Sequence, residues 1–178
     1  DTIELMAKNG FRRIPIVWEN ELVGIITATD IIEIIQDKGL DVLEDELQYY
    51  MVKEPVFVYR DVDVSEAVQI MFKHDLGSLP IVSGRDGTLA GIVTERDLVK
   101  AFTKNTFADA DLAEFITKVP ITKPFATTTI KQSIKTMVDN KIRRIILTDK
   151  SKNIKGIVTS TNVLGFISDH IIRSAEVD

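Results

Sequence analysis

Three tetrads of the form Thr-x-x-Asp or Thr-x-x-Asn stand out among the residues that could do chemistry. They run from Thr27 to Asp30, from Thr94 to Asp97 and from Thr159 to Asn162. Each follows a β-branched run and precedes an apolar helical pattern, so the simplest role for its side chains is to cap a helix. The same oxygen atoms could also bind a ligand, and one tetrad alone favours the cap.

The remaining chemical inventory does not indicate catalysis. The sequence has two histidines, His74 and His170, and neither has the spacing of a metal-binding motif. The glycines form no phosphate-binding loop and no nucleophile elbow. Glu95 and Asp97 lie two residues apart, but at a strand-to-helix junction capping explains them better than paired acid–base chemistry. With no cysteine in the chain, disulfides, thiolate zinc sites and cysteine nucleophiles are excluded. From the whole inventory we expect neither an enzyme nor a metal site.

Composition indicates a globular protein whose surface is not built mainly for polyanionic partners. The 178 residues are 44% hydrophobic and 28% charged, with a net charge of −5. That balance argues against nucleic acid and against an anionic membrane surface. No apolar run approaches the roughly 18 residues that span a bilayer, and no signal-peptide pattern opens the chain. We therefore expect a soluble, cytoplasmic protein.

The sequence contains three copies of one pattern, with a period near 66 residues. Three triplets of positions align: Met6, Met71 and Met137; Gly24, Gly91 and Gly156; Thr27, Thr94 and Thr159. We assign the repeats to residues 1–36, 47–103 and 112–170, with linkers near 37–46 and 103–110. The first repeat lacks the leading segment that opens the other two, and the chain begins inside a helix, so we expect a fragment of a longer protein.

Each repeat predicts a helix, a short strand, a turn, a second strand and a second helix. First strands are expected over 14–17, 79–82 and 145–148, and a second strand over 90–93. Asp63 with Glu66, and Thr129 with Gln132, have capping-box spacing. The glycines in the segment 83–87 favour a hairpin turn. The aligned methionines are expected in the core.

The repeated pattern resembles the CBS domain (cystathionine-β-synthase domain), over nearly the whole chain. The resemblance implies an α/β (α+β) fold of β-α-β-β-α units that pair about a pseudo-twofold axis into a Bateman module. Such modules often dimerise. They typically bind AMP, ADP, ATP or S-adenosylmethionine in clefts between paired repeats, as regulatory ligands rather than obligatory cofactors. They usually regulate another activity and do not catalyse.

The resemblance also implies which residues bind the ligand. Asp30 and Asp97 would accept hydrogen bonds from both ribose hydroxyls, while arginines near the first strand or in the second helix would neutralise phosphate. Helix amides at the same junction favour anions. The expected ligand-binding residues are Arg12, Arg13, Thr27, Thr29, Asp30, Ser78, Pro80, Thr94, Arg96, Asp97, Arg143, Arg144, Thr159, Thr161 and Asn162.

The third repeat departs from the pattern. Asn162 stands where the other repeats have Asp, and Ile146 stands where they have Pro15 and Pro80. An amide loses the charge-assisted double acceptance, which makes the third site doubtful even though Arg143 and Arg144 could hold a phosphate. The arginine pairs could equally form a solvated rim or ion pairs.

An odd number of repeats leaves two pairings open. Either repeats one and two form a module and repeat three pairs in trans, or repeats two and three pair and a fourth repeat lies upstream. In both cases we expect a homodimer. The leading functional hypothesis is a non-catalytic sensor that binds an adenosyl ligand and alters an unidentified partner protein. The alternatives are a ligand-free dimerisation module and a regulatory fragment of an enzyme or transporter.

Overall fold

A computed structural model describes residues 2–38, 44–45, 47–84, 87–103, 112–116 and 120–175. Most of both expected linkers, together with turn residues Arg85 and Asp86, lie outside the described residues. The chain divides into two compact units. Unit 1 comprises Asp1–Val52, Lys123–Leu147 and Gly156–Asp178, and unit 2 comprises Lys53–Thr122 and Thr148–Lys155. Unit 1 thus combines most of repeats one and three, and unit 2 is built mainly from repeat two.

The first repeat is a helix–hairpin–helix segment. It consists of α1 (Thr2–Asn9), β1 (Arg13–Trp18), β2 (Glu21–Thr27) and α2 (Ala28–Lys38). The two antiparallel strands are joined by Glu19 and Asn20, whose φ angles of 48° and 65° are those that a tight hairpin turn requires. The register places Arg13 opposite Thr27. The turn and the register shift between Ile16 and Val17 together set which residues face each other at the far end of the hairpin.

The second repeat has the complete unit. Its elements are β3 (Val52–Lys53), β4 (Val58–Tyr59), α3 (Val64–Lys73), β5 (Ser78–Ser83), β6 (Thr88–Thr94) and α4 (Glu95–Thr103). β4 pairs parallel to β5, and β5 pairs antiparallel to β6 with Ser78 opposite Thr94. Gly84 and Gly87 have φ of 62° and 72°, so the predicted glycine-dependent turn is confirmed at these positions.

The third repeat follows the same order. It consists of β7 (Thr122–Pro124), α5 (Ile130–Asp139), β8 (Arg144–Thr148), β9 (Ile154–Thr159) and α6 (Ser160–Ala175). Its three strands form a sheet together with β3, from the leading segment of the second repeat, in the order β3-β9-β8-β7. Strands β4 and β7 supply the leading strand that the sequence shows only in the second and third repeats. The predicted α/β class and the repeated β-α-β-β-α unit are confirmed.

Repeats one and three share the core of unit 1 through their helices. Helix α1 packs on α6, and α2 packs on both α5 and α6. Met6 and Ile32 from repeat one, and Ile134 and Leu164 from repeat three, are at most 2% exposed in this core. Since α1 is equivalent to α5 and α2 to α6, the contacts are reciprocal, as a pseudo-twofold axis requires. The two pairings expected from the sequence, of repeats one and two or of repeats two and three, do not include this one.

Unit 2 has a separate core built by repeat two. Val58, Leu79 and Ile81 of its sheet are buried together with Met71 of α3 and Leu98 of α4. The aligned methionines Met6, Met71 and Met137 are 0%, 5% and 3% exposed. Their predicted role in the core is confirmed. Both predicted N-caps are also present, because Asp63 accepts from Glu66 N and Thr129 forms a complete capping box with Gln132.

Candidate ligand-binding site

Each repeat closes its strand-to-helix junction with the same backbone hydrogen bond. The first amide of the second helix donates to the carbonyl of the residue just before the first strand of the hairpin. The bonds are Ala28 N to Arg12 O at 3.0 Å, Glu95 N to Gly77 O at 3.3 Å and Ser160 N to Arg143 O at 2.9 Å. This bond fixes the helix start against the strand start, so the side chains of both places belong to one local site.

The tetrads of repeats one and two cap their helices. In repeat one, Thr27 N donates to Asp30 Oδ2 at 2.8 Å, and Asp30 N donates to Thr27 Oγ1 at 3.2 Å. In repeat two, the amide and the hydroxyl of Thr94 both donate to Asp97 Oδ2, at 3.1 and 2.6 Å. The capping role expected for these residues is therefore observed.

Asn162 makes the same cap in repeat three. Its Oδ1 accepts from the amide and the hydroxyl of Thr159, at 2.9 and 2.8 Å, and its own amide donates to Thr159 Oγ1 at 3.2 Å. An Asn thus replaces an Asp at this position without loss of the capping hydrogen bonds. The repeats differ in the other terminal atom of this side chain, which takes no part in the cap.

The side-chain atom that the cap does not use is a hydrogen-bond acceptor in repeats one and two and a donor in repeat three. The caps use only Oδ2 of Asp30 and Asp97, and within the described part of the chain Oδ1 of Asp30 has no hydrogen-bond partner. Oδ1 of Asp97 lies 3.8 Å from Lys100 Nζ, beyond hydrogen-bond distance. In Asn162 the corresponding group is the NH₂, which can only donate. A carboxylate oxygen is therefore present for a hydroxyl ligand at two of the three junctions.

The junctions of repeats one and two differ in exposure. Asp30 is exposed, whereas the side chain of Asp97 is only 18% exposed. Lys100, the charged neighbour of Asp97, is 65% exposed and lies on the same helix, one turn on. A hydrogen bond made at a partly buried carboxylate is stronger than one made in open water. Asp97 is accordingly the better placed of the two to bind a ligand hydroxyl.

Basic side chains accompany each junction, but from different positions. In repeat one, Arg12 and Arg13 are both exposed, and Arg13 lies in register with Thr27. In repeat two the equivalent of Arg13 is the buried Ser78, and the cation is instead the exposed Arg96 in the first turn of α4.

Repeat three resembles repeat one in its arginines. Arg144 begins β8 and is half-buried, while Arg143 is exposed and its carbonyl closes the junction. Thr29 and Thr161 occupy equivalent half-buried places in the first turn of their helices. Pro80 is buried inside β5, opposite Ile92.

The structure thus brings the predicted residues together within each repeat. The sets of repeats one and three belong to unit 1, and the set of repeat two belongs to unit 2. The contacts of these residues with a ligand stay a prediction.

One cavity of unit 2 is lined by residues that the sequence analysis did not name. It measures about 480 Å³ and is lined by Tyr59, Arg60, Asp61 and Gly84. In the sequence these residues show only as an aromatic residue at the end of the leading strand, followed directly by an arginine and an aspartate. Neither Thr94 nor Asp97 lines it.

Two further expectations can be compared with the described residues. Among them, no group of three or more His, Asp or Glu side chains is placed to hold a metal ion. No helix in the same part of the chain combines the length and apolar character needed to cross a membrane.

The family of the chain follows from comparison with known proteins. The CBS domain model matches residues 1–37, 45–104 and 112–169. The chain therefore belongs to the CBS-domain family, as the three repeats predicted.

Its similarity to one archaeal protein covers most of the chain. The uncharacterised protein MJ1225 of Methanocaldococcus jannaschii is 27% identical over 175 residues, which is 89% of this chain and 61% of that protein. The crystal structure of MJ1225, described as a candidate archaeal homologue of γ-AMPK, superimposes with a TM-score of 0.79 at 25% identity. It covers 93% of this chain and 63% of the other. The chain thus spans less than two thirds of this relative.

Two other similar proteins are known by a bound ligand or by an enzymatic activity. The CBS domain pair of protein MJ0100, solved with 5′-methylthioadenosine and S-adenosylmethionine, matches with a TM-score of 0.65 at 25% identity, over 71% of this chain and 98% of that one. Inosine-5′-monophosphate dehydrogenase of Thermoplasma acidophilum is 33% identical over 106 residues, or 60% of this chain and 20% of the enzyme.

Proposed function

We propose that this chain is a regulatory module that binds an adenine nucleotide or another adenosyl compound at its strand-to-helix junctions. The proposal rests on one observation: the caps of repeats one and two each use a single carboxylate oxygen, and the second oxygen takes no part in the cap. Oδ1 of Asp30 and of Asp97 is held by a rigid helix start and makes no hydrogen bond within the described residues. A fixed acceptor of this kind suits the hydroxyls of ribose.

The cations near the junctions fit the phosphates of such a ligand. Arg12 and Arg13 at the first junction, and Arg96 at the second, are exposed and belong to the same local sites as the carboxylates. A guanidinium presents paired donors that match phosphate oxygens. The proposal draws its ligand class from the CBS pair of MJ0100, which was solved with two adenosyl compounds.

Regulation is the part of the proposal that requires a second component. A ligand changes the activity of a partner only if it binds one conformation or assembly more tightly than another. The similarity to a fifth of an inosine-5′-monophosphate dehydrogenase supports a role beside a separate catalytic domain. We propose that the partner is such an enzyme, a transporter or another effector, carried by the same polypeptide or by another.

A ligand-free interaction module is the second candidate function. It is favoured by the caps themselves, because the tetrads already satisfy the amides at the starts of their helices. On that account Asp30 and Asp97 stabilise the fold and nothing more.

A thermal-shift panel with AMP, ADP, ATP, adenosine and S-adenosylmethionine separates the two candidates. Ligand binding should raise the melting temperature progressively with ligand concentration. Arg96→Ala should weaken the effect of ATP more than that of adenosine, since only ATP carries phosphates. If no compound shifts the melting temperature and calorimetry detects no heat, the sensor proposal is wrong and the interaction module remains.

A further inference from the structure

The cavity of about 480 Å³ in unit 2, here called the turn cavity, lies at the opposite end of the sheet from the strand-to-helix junction. Its lining residues are Tyr59, Arg60, Asp61 and Gly84. Strand β5 begins at Ser78, opposite Thr94 of the junction, and ends just before Gly84. Because a strand rises about 3.3 Å per residue, the turn cavity lies roughly 20 Å from the junction along β5. A ligand in this cavity is therefore separate from a ligand at the junction.

The backbone that carries the two charged lining residues is fixed at both ends. Tyr59 ends β4, which pairs with β5, and Val62 N donates to the carbonyl of Tyr59 at 3.3 Å. This bond closes a turn with Arg60 and Asp61 at its centre. Directly after the turn, Asp63 caps the N-terminus of α3. Because a strand and a capped helix hold its ends, the turn presents both side chains from a preorganised backbone.

The turn does not need charged residues in order to form. Repeat two has the pair Arg60 and Asp61 at its centre. Repeat three has the uncharged pair Ala126 and Thr127 at the same distance before its own helix cap, and it forms a turn there as well. The fold therefore does not account for the two charges of repeat two.

The guanidinium and the carboxylate of the turn do not pair with each other. Among the described residues, neither Arg60 nor Asp61 has an ion pair or a side-chain hydrogen bond, and both are exposed. The ring of Tyr59 beside them packs edge-on against Phe57, with the ring centroids 5.8 Å apart. The turn cavity thus offers a cation, an anion and an aromatic ring at three adjacent positions.

We propose that the turn cavity binds a free α-amino acid with an apolar side chain. Arg60 binds the carboxylate of the ligand with paired N–H donors, and Asp61 accepts hydrogen bonds from its ammonium group. The apolar side chain packs on the ring of Tyr59. A phosphate ligand suits the cavity less well, because Asp61 repels it, whereas a zwitterion satisfies both charges. The inference goes beyond the proposed function, since it adds a second class of ligand at a second place.

The test is a titration of the isotope-labelled 178-residue chain with L-phenylalanine and with L-leucine, followed by NMR. We expect saturable shifts of the amide signals of the lining residues and none at Thr94 or Asp97. Two capped compounds probe the charges separately: N-acetyl-L-phenylalanine lacks the ammonium group, and L-phenylalanine amide lacks the carboxylate. Each should bind at least about tenfold more weakly than L-phenylalanine.

The variant Arg60→Ala/Asp61→Thr is matched to the fold, because it copies the turn of repeat three. It should keep the circular dichroism of the parent chain and bind L-phenylalanine at least about tenfold more weakly. Asp97→Asn, at the junction, should bind L-phenylalanine like the parent.

Three results would overturn the proposal. The first is that neither amino acid binds at millimolar concentration. The second is that the capped compounds, or the parent ligand with the turn variant, bind as tightly as L-phenylalanine binds the parent chain. The third is that the shifted signals belong to the junction. None of these results bears on whether a nucleotide binds at the junction, so the two proposals fail independently.

Discussion

Asp97 and Asn162 occupy the same position of two repeats and make the same cap. Each uses one side-chain oxygen to accept from the amide and the hydroxyl of the threonine three residues earlier. What differs is the remaining group, an oxygen in Asp97 and an NH₂ in Asn162. The chain therefore contains its own control for separating the capping role of the position from a ligand-binding role.

The substitution Asp97→Asn should weaken nucleotide binding while it preserves the fold. The new amide can cap α4 as Asn162 caps α6, so the melting temperature should change little. Loss of the charge-assisted acceptor should cost about 1.5–3 kcal/mol of binding free energy, a decrease in affinity of roughly 10- to 100-fold. Calorimetric titration of parent and variant with AMP provides the measurement.

The reciprocal change Asn162→Asp completes this prediction. It keeps the cap and restores an acceptor beside Arg143 and Arg144, so it should strengthen nucleotide binding at the third junction. A pair of variants with affinities equal to the parent chain would show that the position only caps helices. A large fall in melting temperature for Asp97→Asn would show instead that the charge stabilises the fold.

At the scale of elements, the sequence predicted the parts and their local contacts. The helices, the hairpin strands, the N-caps Asp63 and Thr129 and the buried methionines follow from short-range rules about periodicity and capping. The clustering of the tetrads with Arg12, Arg13 and Arg143 was also accessible, since the strand start and the helix start flank one short hairpin. The availability of the second carboxylate oxygen could not be predicted, because no sequence pattern shows which oxygen a cap uses.

The pairing of repeats one and three could not be predicted either. Ile32, Val99 and Leu164 occupy one position of the repeat and are all apolar. The pattern therefore indicates that this position can be buried, but it does not indicate in which repeats it is buried. Only the packing distinguishes Leu164, at 0% exposure, from Val99, at 62%. The partner of a repeat is a property of long-range contacts, which a local periodicity does not encode.

The aligned glycines give a prediction for one strand. A Cβ on Gly156 in β9 would lie 2.9 Å from Met51 Cγ and 3.1 Å from the backbone oxygen of Val52, whereas a Cβ on Gly24 in β2 would meet only Ile16 Cδ1 at 4.0 Å. Gly156→Ala should therefore destabilise the protein by about 1–3 kcal/mol through overpacking. Gly24→Ala should stay within about 0.5 kcal/mol of the parent chain.

Urea denaturation followed by circular dichroism measures both glycine variants. The contrast between them carries the test, because the two glycines are equivalent in sequence and differ only in what lies beside them. Equal denaturation midpoints for Gly156→Ala and Gly24→Ala would contradict the close approach of Met51 and Val52 to β9.

At the scale of the whole molecule, the repeats differ in how their helices are buried. The helices of repeats one and three bury each other in unit 1, and repeat two keeps an uncovered helical face in unit 2. Ligand binding at the junctions can change another protein only through a preference for one assembly or conformation.

The central claim is that carboxylates at the strand-to-helix junctions bind the ribose of an adenosyl ligand. Calorimetric titration of the parent chain with AMP and with 2′-deoxy-AMP tests it most directly, since the two compounds differ by one hydroxyl. We expect saturable binding of AMP and an affinity for the deoxy compound lower by roughly tenfold or more, the typical worth of a hydrogen bond to a charged group. Equal affinities for the two nucleotides, or no binding of either, would contradict the claim.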